Sequence, residues 1–119
     1  MKKHIVEMVG MKDDNIVIGT SLMGSFSEHT KYNQLVLVFG EPNGITDGYK
    51  VDAEWIGTIN GEVFTIYNYK SGKNYLGEKG LNVEDITDWH IGGNQAKIVD
   101  ELHEYFLTER TIRNAEKNK

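Results

Sequence analysis

Two short segments carry side chains of the kind that hold or transform small molecules. They are Val51-Asp52-Ala53-Glu54-Trp55 and Asp88-Trp89-His90-Ile91-Gly92-Gly93, with Thr65-Ile66-Tyr67-Asn68-Tyr69-Lys70 between them. The second segment runs into Asn94, where a helical pattern starts, so its two glycines are placed to hold an anion at a helix N-terminus. A pocket for a signalling nucleotide needs a stacking aromatic, donors for phosphate and a polar group for the base. Tyr67, Tyr69, Tyr75 and Trp89 offer stacking surfaces. Lys70, Lys73, Arg110, Arg113 and the Gly92 and Gly93 amides offer donors. A plainer reading stands beside this one. Trp55 and Trp89 fall on core-facing positions, and a Gly-Gly pair also serves a tight strand-to-helix connection. No full phosphate-binding loop occurs.

Catalysis is the competing chemistry. His90 with Asp88, Glu54 and Asp52 forms a candidate acid–base or metal-ligating group. The histidines are scattered at positions 4, 29, 90 and 103, which is not a zinc spacing. There is no serine elbow or cysteine nucleophile to pair with His90. The residues therefore favour binding without catalysis and require no cofactor. A third class is a protein inhibitor of a host nuclease or other effector, acting through acids such as Asp13, Asp14, Glu78, Glu84 and Asp85. Interspersed lysines make those acids equally readable as a solvated surface.

Composition narrows the field. The 119 residues fit a single domain, 1–119, with a core of ordinary size. The net charge of −5 argues against a duplex nucleic-acid partner, which requires a basic face. The absence of cysteine excludes a disulfide scaffold and a thiol nucleophile. No apolar run reaches the roughly 20 residues of a membrane span, and no leader pattern is visible, so the expectation is a cytoplasmic protein with no membrane partner. Arg110 and Arg113 are the only arginines, and both lie near the C-terminus. As planar forks they suit phosphate or carboxylate; as ordinary surface residues they would be solvated on a helix tail.

The elements that must position these groups read as follows. Residues 4–9 form a strand, Lys12 to Asn15 a turn, and Ile16 to Thr20 a second strand. Small residues at 20–25 lead into a helix capped by Thr30, with Tyr32, Leu35, Val36 and Phe39 at helical spacing. Gly40 and Pro42 stop it, and Asn43 to Gly48 is a loop. Asn60-Gly61 predicts a type I′ hairpin that sets Ile59 against Glu62 and Trp55 against Ile66. One hairpin face (Val51, Ala53, Trp55, Ile59, Phe64, Ile66) is apolar. The other pairs Asp52 with Tyr69 and Glu54 with Tyr67, an aromatic and acidic surface suited to binding. A glycine-containing loop fills 71–85. Ile86 to Ile91 is a strand, with Trp89 and Ile91 opposite Asp88 and His90.

Asn94 caps a final helix buried along Ile98, Val99, Leu102 and Phe106, and Arg110 and Arg113 extend that stripe. The fold class is α+β: an antiparallel sheet of four or five strands, one inserted helix and one long C-terminal helix, with 107–119 a helical tail. Tyr67, Lys70, Trp89, His90 and the Gly92-Gly93 turn should line one pocket. The tail, with Tyr105 and Ile112 seven residues apart, should pair with a second copy in a homo-oligomer.

Gly19-Thr20-Ser21-Leu22-Met23-Gly24, Leu35 to Pro42 with its Phe-Gly-Glu-Pro ending, Lys50 to Trp55, Thr65 to Lys70 and Trp89 to Gly93 give a further clue. In that order they resemble a widespread family of small phage proteins, most without an assigned activity. The Trp-His-Ile-Gly-Gly motif is the most specific element. The resemblance covers most of residues 19–100 and implies a phage accessory role inside an infected bacterium. Many small accessory phage proteins counter host defence, and some sequester its nucleotide signals; a nucleotide-derived ligand is what the resemblance suggests here. The chain departs from the family in its extended tail after Tyr105, to which no family role is transferred.

Overall fold

The computed structural model describes residues 3–10, 20–44 and 50–117. Its elements are strands β1 (Val6–Met8), β2 (Ser21–Ser25), β3 (Glu54–Ile59), β4 (Glu62–Tyr67) and β5 (His90–Gly93), with helices α1 (Tyr32–Phe39), α2 (Lys73–Leu76) and α3 (Lys97–Lys117). The strands form one antiparallel sheet in the order β1-β3-β4-β5-β2. The expected α+β class holds. The turn expected at Lys12 to Asn15, positions 16–19 of the strand expected over Ile16 to Thr20, and positions 45–48 of the loop expected over Asn43 to Gly48 lie outside the described residues.

The hairpin forms where local chemistry demands it. Asn60 and Gly61 adopt φ of 52° and 85°, the positive pair that a type I′ turn needs. The register follows, with Ile59 opposite Glu62 and Trp55 opposite Ile66. Side chains alternate, so Trp55, Ile59, Phe64 and Ile66 turn to one face and become fully buried beneath α1 and α3. Trp89 packs edge-on against Trp55 with ring centroids 5.5 Å apart. Both indole N–H groups are satisfied, Trp55 donating to the Gly40 carbonyl at 2.8 Å and Trp89 to that of Ile86 at 3.0 Å. A buried tryptophan without such an acceptor would carry a stranded donor.

Four expectations are corrected: the Thr30 cap, the start of the last strand, the Gly92-Gly93 turn and the Asn94 cap. The small-residue stretch 21–25 forms β2, an edge strand on β5. Its glycine earns the place sterically: a Cβ on Gly24 would sit 3.0 Å from Val99 of α3. Thr30 does not cap α1; Lys31 occupies that position without a side-chain cap, and Thr30 is buried. Strand β5 starts at His90 rather than Ile86, and Gly92-Gly93 lie inside it, paired with Thr65 and Phe64 on one side and Leu22 and Ser21 on the other. The pair is therefore the middle of a sheet, not a turn. A Cβ on Gly92 would meet the Thr65 hydroxyl at 2.5 Å, and one on Gly93 would strike Ile98. Asn94 is exposed and α3 begins three residues later, so it is not the helix cap.

Two asparagines fasten the ends of the hairpin. At the turn, Asn60 Oδ1 accepts from the Ile5 amide at 3.0 Å. Its Nδ2 donates to His4 Nδ1 at 3.0 Å and to Glu101 Oε2 at 2.8 Å, joining β1 and α3 to the turn. Because His4 Nδ1 accepts, its proton sits on Nε2, which faces Glu104 Oε1 at 3.3 Å. At the open end Asn68 is wholly buried. Its carbonyl takes the Asp52 and Ala53 amides at 2.7 and 3.2 Å, and its amide donates to Asp52 Oδ1 at 2.9 Å and Ser71 Oγ at 3.2 Å.

Helix α3 buries Ile98, Leu102 and Phe106 as expected. Its distal part is docked rather than projecting. Arg113 Nη1 donates to the Leu37 carbonyl of α1 at 3.0 Å, and Arg113 also pairs with Glu109 at 3.0 Å. Tyr105 is half-buried with its ring 6.0 Å from that of Phe39, and Ile112 is exposed.

Candidate functional site

The face of the sheet turned away from α1 and α3 holds a cleft of about 300 Å³ lined by Thr20, Ser21, Val51, Glu54, Thr65, Tyr67, Tyr69 and Gly92. Its order comes from strand register. Glu54 stands opposite Tyr67, and Tyr67 opposite His90, so a carboxylate, a phenol and an imidazole form one row across β3, β4 and β5. The next row is Thr65 beside Gly92. Gly92 lines the cleft without a side chain of its own, and the Thr65 hydroxyl fills the space that a Cβ would take.

Neighbouring loops hold the row in place. Gly44 lies against the Glu54 side chain with no space for a Cβ, and its amide donates to the Glu54 carbonyl at 2.8 Å. The Tyr67 ring lies 5.6 Å from His90, and His90 Nε2 is 3.5 Å from Asp88 Oδ2. Asp88 Oδ2 also accepts the Tyr69 amide at 3.3 Å. Burial raises the Tyr67 phenol above its ordinary pKa, helped by the negative charge of Glu54 and by Tyr69. The phenol thus stays a neutral donor and acceptor through physiological pH.

Lys70 adopts φ of 59°, a left-handed conformation that costs a non-glycine residue roughly 1–2 kcal/mol. That turn sets its ammonium 5.2 Å from the centre of the Tyr69 ring and 5.1 Å from that of Tyr75. The result is a cation between two aromatic faces beside the cleft. Backbone strain of this kind concentrates at binding sites.

Of the residues singled out in the sequence, Tyr67, Tyr69 and Gly92 line the cleft, and His90 and Lys70 stand against its tyrosines. Trp89 does not reach it, being fully buried on the opposite side of the sheet. Gly93 faces Ile98, Lys73 is an exposed residue opening α2, and Arg110 and Arg113 belong to α3. The arginines also diverge. Helical side chains lean back one turn, so Arg110 covers Phe106 with its guanidinium 5.1 Å from the ring, while Arg113 covers Glu109. Asp52 leaves the binding face as well, because β3 pairing ends at Glu54. Its carboxylate accepts from Asn68 and the Asn74 amide and closes against Gly72, pinning the start of the 71–85 segment.

Thr20, Ser21, Val51, Glu54 and Thr65 were absent from the expected ligand-binding set; Glu54 was expected on the binding face, whereas Val51, expected on the apolar face, is half-buried and lines the cleft instead. Thr65 follows from the hairpin alternation, two residues before Tyr67; Thr20 and Ser21 follow only once β2 is known to lie on β5. Among the described residues no group of three or more histidines and carboxylates is arranged to hold a metal ion. No helix among the described residues is long and apolar enough to cross a membrane. No family model, curated protein or solved structure matches the chain.

Proposed function

We propose that the protein binds a nucleotide-derived small molecule in the sheet-face cleft and holds it without chemical change. The observation that carries this reading is the Glu54–Tyr67–His90 row walling a glycine-floored cleft. Glu54 is suited to accept from ring and exocyclic N–H groups of a base, and Tyr67 and Tyr69 supply π faces for stacking. Lys70 supplies the charge for the anionic end. With one cation and a carboxylate at the cleft, the base dominates recognition and the phosphate contributes less than the two arginines would have supplied. The resemblance to small phage proteins gives the biological setting: an accessory protein of an infected cell that withdraws a nucleotide immune signal. A homo-oligomer, with exposed Ile112 in the contact, belongs to the same proposal.

Calorimetry with a panel of nucleosides, mononucleotides and cyclic dinucleotides tests the reading. Binding should weaken by about 1.5–3 kcal/mol in Glu54→Gln, the range for a hydrogen bond to a charged group. Ligand released by heating should be chemically intact. No binding by any member at millimolar concentration removes the proposal.

A second reading is favoured by one observation. Burial raises the Tyr32 phenol above its ordinary pKa, and the charges of Glu41, just after α1, and Glu84 add to the rise, so two exposed acids converge beside exposed Asp85. This convergence of acids suits the basic face of a protein target, as an effector inhibitor would require. A stable stoichiometric protein complex, lost on Glu41→Lys with Glu84→Lys, would select it.

A further inference from the structure

On the helix side a second recess, of about 450 Å³, opens between the β2–α1 connection and the middle turns of α3. Phe26, Phe106 and Leu107 form its apolar surface, and His103 and Arg110 stand at it. The walls are fixed. Phe26 packs on Phe106 with centroids 5.1 Å apart, and His103 Nε2 donates to the Ser25 carbonyl at 2.8 Å, tying α3 to the end of β2.

Arg110 is the unusual member. Arg113, one turn away, spends its guanidinium on Glu109 and the Leu37 carbonyl. Arg110 instead rests over Phe106, and among the described residues no carboxylate lies within ion-pair distance of it. A guanidinium over an aromatic face keeps its in-plane N–H donors free while the ring holds it in position. The recess is within the size range of small-molecule sites, and it combines an apolar surface with one unpaired cation.

We infer that this recess is a second ligand site, which takes a small organic anion with an apolar body, its charged head on Arg110 and its body between Phe26, Phe106 and Leu107. The site is independent of the sheet-face cleft and stands or falls separately from the proposed function.

Titration of the intact protein with 1-anilinonaphthalene-8-sulfonate, an aromatic monoanion that fluoresces in apolar surroundings, tests it. Saturable binding of one probe per chain is expected, with near-ultraviolet circular dichroism unchanged. Arg110→Gln should weaken it about tenfold, the equivalent of one charged hydrogen-bonded pair. Leu107→Asp, at an exposed position, should abolish it. Tyr67→Ala should leave it unaltered, and the uncharged N-phenyl-1-naphthylamine should bind more weakly and ignore Arg110→Gln. Affinity indifferent to Arg110→Gln, equal affinity for the neutral probe, absence of binding, or loss of binding in Tyr67→Ala would each overturn the assignment.

Discussion

The two ends of the β3–β4 hairpin are closed by the same residue type under opposite conditions. Asn60 lies at the surface and serves the turn by tolerating positive φ and by bonding to Ile5, His4 and Glu101. Asn68 is sealed from solvent and substitutes for backbone pairing where β3 ends, taking two amides on one carbonyl. The Asn60 network is a fastening whose outer bonds, to the Ile5 amide and Glu101 Oε2, water can replace if it opens, with only His4 buried behind it. The buried one has no such alternative, and the residues immediately beside it, Tyr67, Tyr69 and Lys70, belong to the cleft. Stability and binding are therefore separable at one end and coupled at the other.

The largest effect expected is for Asn68→Ala. Stranding the buried Ala53 amide and the half-buried Asp52 amide costs about 1–3 kcal/mol for the first and less for the second, so urea denaturation should show a loss of roughly 2–4 kcal/mol. Ligand affinity should fall with it, because Asp52 loses its anchor. A stable Asn68→Ala variant with full affinity would break the coupling. Asn60→Ala should cost roughly 1–2 kcal/mol through αL strain and lost surface hydrogen bonds, with ligand affinity untouched. Asn60→Gly sharpens the point further. Glycine restores the turn but not the network, so about 1 kcal/mol or less should remain lost, measured by the same denaturation.

The smallest effect is read at alkaline pH. The Tyr32, Tyr67 and Tyr105 phenols are all raised, chiefly by burial. Above the ordinary value of 10.0 the unfolded chain gives up these protons before the folded one does. Stability is thus intact below that value and declines as pH rises through the folded values. Absorbance at 295 nm should show a late-titrating class of tyrosine, diminished by Tyr67→Phe and unchanged by Asn60→Gly.

Legibility in the sequence tracked how local the cause was. The Asn60-Gly61 turn and the alternation around it contain their own register, so Glu54 beside Tyr67 was readable, and with it half of the cleft. The buried stripe of α3 was readable for the same reason. Gly92-Gly93 was misassigned because glycine signals close approach in a turn and in a sheet alike. What decides between them is Thr65, Ile98 and β2, all remote in sequence. Helical spacing put both arginines on the packed side of α3 but could not tell which neighbour each would meet. One found the Leu37 carbonyl and the other an aromatic ring.

The strand order also fixes a timetable. The β3–β4 hairpin joins neighbours in sequence, whereas Ser21 must wait for Gly93 to be made before it has its partner. At 5–20 residues per second that interval is roughly 4–14 s on the ribosome. Throughout it β2, a strand without a single charged side chain and with Leu22 facing outward, has no β5 to pair with. The burden on the cell's folding machinery falls on this early segment, far in the chain from the residues that complete it.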